Sequence, residues 1–222
     1  MEEILNQLSY CIEIGKANSD SKYPATMIGQ DGVYELTKKA LELGIPATKI
    51  LNEGMLTGMS RVGIKFRDGK IFLPEVLIAA KAMNVGSDVL KPFFKSGEIK
   101  RKGKIVIGTV SGDLHDIGKN LVKMILEGGG WEIIDLGVNV GPDKFVSAAR
   151  ENCVKIVGLS ALLTTTMQNM EIITKTIKTE MDNVSVIIGG APVSQSFADS
   201  INADKYFRDP QAMLDYLNNQ FA

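Results

Sequence analysis

Ile105-Val106-Ile107-Gly108-Thr109-Val110, followed by Ser111-Gly112-Asp113-Leu114-His115-Asp116-Ile117-Gly118-Lys119-Asn120, is the stretch on which the fold turns. Its first six residues form a short β-branched run without polar alternation, the pattern of a strand buried on both faces. A polar, glycine-bearing loop comes next, then a segment over 117–127 that reads as a helix. The same grammar repeats to the end of the chain. Further strand-like runs lie at Trp131 to Leu136, Val154 to Leu159, Val184 to Ile188 and, weakly, Lys205-Tyr206-Phe207. Helical segments at 142–150, 166–180 and 193–200 alternate with them, and a last helix starts at Pro210. Apolar strands alternating with helices predict a five-stranded parallel sheet, doubly wound, whose ligands sit outside the carboxyl ends of the strands.

Upstream, the first 95 residues read as helices. Ile4, Leu8 and Ile12 recur every four residues. Val33, Leu36, Ala40 and Leu43 mark a second stripe closed by Gly44. Pro46 opens a third helix carrying Leu51, Met55, Met59, Val62 and Phe66. Pro74 opens a fourth with Leu73, Val76, Ala80, Met83, Ser87 and Leu90. Proline near the start and glycine near the end punctuate helices in the expected order. Short connections between such helices predict a four-helix bundle, with a looser loop over 18–32. The charged stretch Lys95 to Gly103 reads as a linker, giving a helical domain at 1–95 and an α/β domain at 96–222.

Composition narrows the function. Lys and Arg number 25 against 26 Asp and Glu, a net charge of −1, so no basic surface for nucleic acid is implied. Two distant cysteines and no CxxC argue against a disulfide framework and favour a reducing compartment. No apolar run approaches the roughly 20 residues of a membrane span. The N-terminus, Met1-Glu2-Glu3-Ile4, lacks the layout of a signal peptide. A cytoplasmic protein without membrane contact is the expectation.

The strand-end loops carry the chemistry. His115 is the chain's single histidine, and a neutral imidazole at a ligand edge suits a transition metal. Its second ring nitrogen then needs an acceptor, which Asp113 is placed to supply. Asp113 and Asp116 are equally suited to capping a helix, so the loop alone leaves both roles open. Gly118 removes a side chain where something bulky would approach. A phosphate loop is discounted: Gly112 to Gly118 encloses one residue too many, and Asn120 replaces the hydroxyl that would hold magnesium. The loop after the third strand, Ser160-Ala161-Leu162-Leu163-Thr164-Thr165-Thr166, clusters hydroxyls that suit either a helix cap or a polar ligand tail. Gly189-Gly190-Ala191 after the fourth strand makes either an ordinary tight turn or room for a flat group.

Taken in order, Asp113, His115 and Gly118, then Ser160 and Leu162, then Gly189 and Gly190, resemble the cobalamin-binding family. That family includes the cobalamin module of methionine synthase and the small corrinoid proteins of methyltransferase systems. The resemblance extends to the helical half, through Gly69 to Val76 and Ala79 to Met83. It implies a helical bundle cap followed by a Rossmann-like, flavodoxin-like cobalamin-binding domain. It further implies that His115 replaces the cofactor's own base as lower axial ligand of cobalt. The displaced tail would run past Leu114, Asp116, Gly118, Ser160, Leu162, Thr164, Gly189 and Gly190. Phe72 matches the apolar cap position over the methyl face, with Leu77 and Met83 assisting. A serine ends the histidine–aspartate relay in the methionine synthase branch, and Thr166 occupies that position here.

The implied cofactor is a cobalamin, as methylcobalamin and cob(I)alamin, or a related corrinoid. The implied role is methyl carriage from a donor-side methyltransferase, acting on a methylamine, methanol or an aryl methyl ether, to an acceptor-side methyltransferase serving tetrahydrofolate or a thiol. A reductive activase is a further implied partner. With one histidine and two distant cysteines, no zinc thiolate site for activating the donor can be assembled, so catalysis is expected from partners. The alternative is a cobalamin-dependent sensor, which usually adds a DNA-binding segment. A receiver domain, a flavodoxin and a mutase-type carrier fit less well.

Overall fold

The computed structural model describes residues 1–221. The chain divides into two compact units, with the passage between them at Arg101–Lys102. That lies within the charged stretch Lys95 to Gly103; before it Ile99 is buried, and its N–H donates to the Phe93 carbonyl at 3.1 Å. Arg101 also stacks its guanidinium 4.4 Å from the ring centre of Phe94.

The first unit is helical: α1 (Glu2–Ile14), α2 (Val33–Glu42), α3 (Ala47–Lys49), α4 (Thr57–Arg67) and α5 (Leu73–Lys95). A π-helical stretch, Ile50–Leu56, joins α3 to α4, so one continuous run replaces the plain third helix. The packing explains its small residues. A Cβ on Gly54 would meet a Leu8 methyl at 2.7 Å, and one on Gly58 would meet the Ser9 carbonyl at 2.6 Å. Glycine at both places lets the helical run approach α1 closely. The buried face of α1 centres on Leu5, Leu8 and Ile12, while Ile4 is only partly covered and Leu43, at the end of α2, is exposed. The 18–32 segment is more ordered than its composition suggests. It holds a 3₁₀ turn at Ala25–Met27, and the fully buried Lys16 ammonium donates to the Ser21 carbonyl at 3.0 Å.

The second unit is α/β. Strands β1 (Lys104–Thr109), β2 (Glu132–Asp135), β3 (Ile156–Ser160), β4 (Ser185–Gly189) and β5 (Lys205–Tyr206) form one parallel sheet in the order β2-β1-β3-β4-β5. Its helices are α6 (Ile117–Gly128), α7 (Pro142–Glu151), α8 (Met167–Glu180), α9 (Gln195–Ser200) and α10 (Pro210–Phe221). Val106, Val157, Val186 and Ile188 point from neighbouring strands into one core with Phe145, Met170 and Ile173. Burial of continuous β-branched strands on both faces is what selects a parallel, helix-covered sheet. The strand order reverses between β1 and β3, and in such sheets ligands bind outside the carboxyl ends of the strands at this switch point.

Candidate functional site

The loop after β1 is fastened almost atom by atom. Val110 donates its N–H to the Ser160 carbonyl at 3.0 Å, and Asp113 donates back to the Val110 carbonyl at 3.1 Å. The Ser111 hydroxyl reaches the Val140 carbonyl at 3.0 Å. Asp113 is fully buried. One carboxylate oxygen accepts from the His115 N–H at 3.1 Å and stands 2.7 Å from His115 Nδ1. The other accepts from the amides of Leu162 and Leu163 at 2.8 and 3.3 Å and from the Thr166 hydroxyl at 2.7 Å. Burial alone would raise the Asp113 pKa. The Leu162 amide, the Thr166 hydroxyl and the two His115 donors outweigh it and hold the carboxyl well below the usual range. An ionised Asp113 fixes the Nδ1–H tautomer of His115 and leaves the Nε2 lone pair bare.

That ring is half exposed, and among the described residues none hydrogen-bonds its Nε2. Around it the rim is apolar and uncovered: Leu114 is 72% exposed, Ile117 67%, Leu162 44% and Leu163 42%. Four exposed aliphatic side chains around one metal-competent nitrogen fit a large, mostly apolar group with a metal at its centre. Gly118 supports the same fit, since a Cβ there would meet nothing within 4 Å. Among the described residues no group of three or more His, Cys, Asp or Glu side chains could hold a metal by itself.

The remaining expected site residues are distributed more widely. Asp116 is exposed and accepts from Asn120 Nδ2 at 3.0 Å. Ser160 ends β3, and Thr164 is exposed in the loop after it. Gly189 ends β4. Gly190 has φ 135°, and a Cβ on it would fall 1.9 Å from the Ala161 carbonyl oxygen, so this glycine is required by the approach of two loops whatever else passes there. In the helical unit Phe72 is exposed at the start of α5, as is Leu77, whereas Met83 is buried and presents no free surface.

Two residues that hold the loop carry no signal in the motifs. Asn139, with φ 54°, accepts from the Gly112 N–H at 2.7 Å and donates its own N–H to the Asp113 carbonyl at 3.0 Å. Asn169 Nδ2 donates to the Ser111 carbonyl at 2.7 Å. Asparagine tolerates the left-handed conformation, and Gly137-Val138-Asn139 offers that one hint in the sequence.

A doubly wound sheet with a buried aspartate orienting a lone, outward-facing imidazole at the switch point defines a cobalamin-binding protein. Comparison with known proteins agrees. Models described as B12 binding domain match residues 103–212 and 29–91. Dimethylamine corrinoid protein 1 of Methanosarcina mazei is 40% identical over 208 residues, covering 92% of this chain and 90% of the relative. Trimethylamine corrinoid protein 1 of Methanosarcina acetivorans is 43% identical over 190 residues, covering 84% and 88%. In the methanol:cobalamin methyltransferase complex MtaBC of Methanosarcina barkeri, a chain of 26% identity superposes with a TM-score of 0.82, covering 98% of this chain and 79% of its own length. The chain belongs to the corrinoid-protein family: it binds a cobalamin-type corrinoid and is the methyl-carrying member of a methyltransferase system.

Proposed function

We propose that His115 is the protein ligand to the corrinoid's cobalt and that the methyl donor of this system is a methylamine. The observation that carries the ligand assignment is the relay itself: a solvent-free Asp113 gripping Nδ1 at 2.7 Å and turning a bare Nε2 outward on a half-exposed ring. Bound there, the corrin's cobalt supplies a centre that accepts a methyl group from one partner and gives it to another. Asp113 and the Thr166 hydroxyl hold a proton on the far side of the imidazole, and so set the basicity of Nε2. Thr166 takes the last position of this relay. Gly118 and the exposed Leu114, Ile117 and Leu162 supply the surface for the ring and the start of its tail. Asp116, Ser160, Thr164 and Gly189 would hold its tail.

The donor assignment rests on relatives of 40–43% identity that are dimethylamine and trimethylamine corrinoid proteins, against 26% for the methanol-system chain. On the acceptor side a second methyltransferase delivers the methyl group to a thiol or to tetrahydrofolate, and a reductive activase restores an oxidised cofactor. The test is reconstitution. Corrinoid-loaded protein, reduced to the cobalt(I) state with titanium(III) citrate, is mixed with trimethylamine, dimethylamine or methanol and the corresponding purified methyltransferase, and methylation of the corrinoid is followed in the visible spectrum. Methylation with a methylamine enzyme is expected; methylation with the methanol enzyme alone would contradict the donor assignment.

A further inference from the structure

Loops at strand ends are ordinarily the mobile part of a doubly wound domain, yet here eight of the twelve backbone N–H and C=O groups from Val110 to His115 are tied. The ties come from three directions. Below the loop, the fully buried Thr109 donates its hydroxyl to the His115 carbonyl at 2.9 Å. On one flank, Asn139 forms a reciprocal pair, accepting from Gly112 and donating to the Asp113 carbonyl. On the other, Asn169 of α8 donates to the Ser111 carbonyl. None of the three side chains bonds the imidazole or the Asp113 carboxylate.

We infer that Thr109, Asn139 and Asn169 are positioning residues that fix the backbone of the ligand loop, so that His115 is presented to the metal in one place and moves only through its side-chain torsions. This rests on His115 being the cobalt ligand. The physical argument is geometric. A metal–nitrogen bond tolerates errors of about half an ångström. The aspartate fixes the ring's orientation relative to the loop and does nothing to fix the loop relative to the sheet. Thr109 sits on β1 itself, Asn139 lies between β2 and α7, and Asn169 lies in the first turn of α8. Together they refer the ligand to the rigid elements on both sides of the switch point. Asn139 needs both its left-handed backbone and its carbonyl oxygen for this. An aspartate there retains both, whereas a glycine retains only the conformation. Asn169 works as a donor, so an aspartate at 169 would place an acceptor against the Ser111 carbonyl.

The experiment uses the full chain with and without hydroxocobalamin. Because His115 is the only histidine, nitrogen-15 spectra of the cofactor-free protein report its tautomer without assignment ambiguity. Wild type is expected to show one sharp tautomer, protonated at Nδ1. Thr109→Val, Asn139→Gly and Asn169→Ala are expected to broaden or average these resonances. They should also lower the histidine-ligated fraction of the bound corrinoid, read in the visible spectrum, by about tenfold in the ligation equilibrium. Asn139→Asp and Thr109→Ser should restore wild-type behaviour, and Asn169→Asp should not. Urea unfolding of each variant separates these effects from a loss of stability. If Thr109→Val does not fold, Asn139→Gly and its aspartate partner carry the comparison. Folded variants with wild-type imidazole resonances and wild-type visible spectra would overturn the inference. A visible spectrum unchanged in His115→Ala would instead remove the ligand assignment, while the cofactor-free resonances still decide whether the loop is held as described.

Discussion

Thr166 shows how much one hydroxyl does at this site. It is buried and donates to Asp113 at 2.7 Å, while its oxygen lies 2.9 Å from the Leu163 carbonyl. Thr166→Val keeps the shape and removes the donor, which should lower the unfolding free energy by about 1–3 kcal/mol, measured by urea titration. Thr166→Ser should stay near wild type. Gly118 makes the opposite kind of prediction. Its open surroundings mean that Gly118→Ala should stabilise the cofactor-free protein by up to about 1 kcal/mol, through helix propensity at the start of α6. On the proposed reading, which lays the corrinoid against this position, the same methyl group should weaken corrinoid binding by about tenfold or more. Thermal melts of the apo-protein and equilibrium binding of hydroxocobalamin check both halves. At this scale His115 and Asp113 are legible in the sequence. A lone histidine two residues beyond an aspartate, just after a buried strand, places an imidazole and its acceptor together at a ligand edge. Asn139 and Asn169 are not legible, because they act on backbone atoms of a loop remote in sequence and leave no periodic trace.

Between elements, one ion pair ties α6 to β2. Lys119 is almost wholly buried and donates to both oxygens of Asp135 at 2.6 and 2.7 Å, and Lys123 stands 3.5 Å away. Burial of Asp135 acts to raise its pKa; the Lys119 ammonium, the Gly137 N–H and the charge of Lys123 outweigh it, so the carboxyl lies below its ordinary value. A depressed folded-state value means that the pair's stabilisation is present above the unfolded carboxyl's pKa of about 3.9 and fades as the pH falls from there through the lower folded value. Asp135→Asn leaves a buried ammonium without a counter-charge and should cost about 3–5 kcal/mol at neutral pH. The gap between wild type and variant, measured by urea unfolding, should hold from neutral pH to about 5 and shrink below about 4. Gly190→Ala should be harsher than its size suggests, costing about 2–5 kcal/mol through the clash with Ala161 and the positive φ. Here the legible and illegible parts of the chain separate cleanly. The strands are readable because burial on both faces demands unbroken apolar runs. The π-helical stretch at Ile50–Leu56 is not, because nothing in its apolar spacing marks it off from an ordinary helix, and the close approach of Gly54 to Leu8 joins residues remote in sequence. Gly189-Gly190 stands out in the sequence, but the need for Gly190 comes from the Ala161 carbonyl at the end of a different strand.

For the whole molecule, the net charge is −1, and among the described residues no helix is long and apolar enough to cross a membrane. The identity of the methyl donor is not legible in the sequence, because the motifs of the strand-end loops address the corrinoid and none of them addresses a donor. The loaded chain alone, incubated with trimethylamine or dimethylamine, should form no methylated corrinoid, and should form it when the matching methyltransferase is added. Everything else depends on the proposed bond between His115 and cobalt, and the single histidine allows that bond to be read directly. Protein loaded with the cobalt(II) form of the corrinoid, grown once with natural histidine and once with nitrogen-15 histidine, should show an electron paramagnetic resonance spectrum whose superhyperfine triplets collapse to doublets on labelling. Triplets that persist in the labelled protein would mean that the cofactor's own base, and not His115, holds the metal.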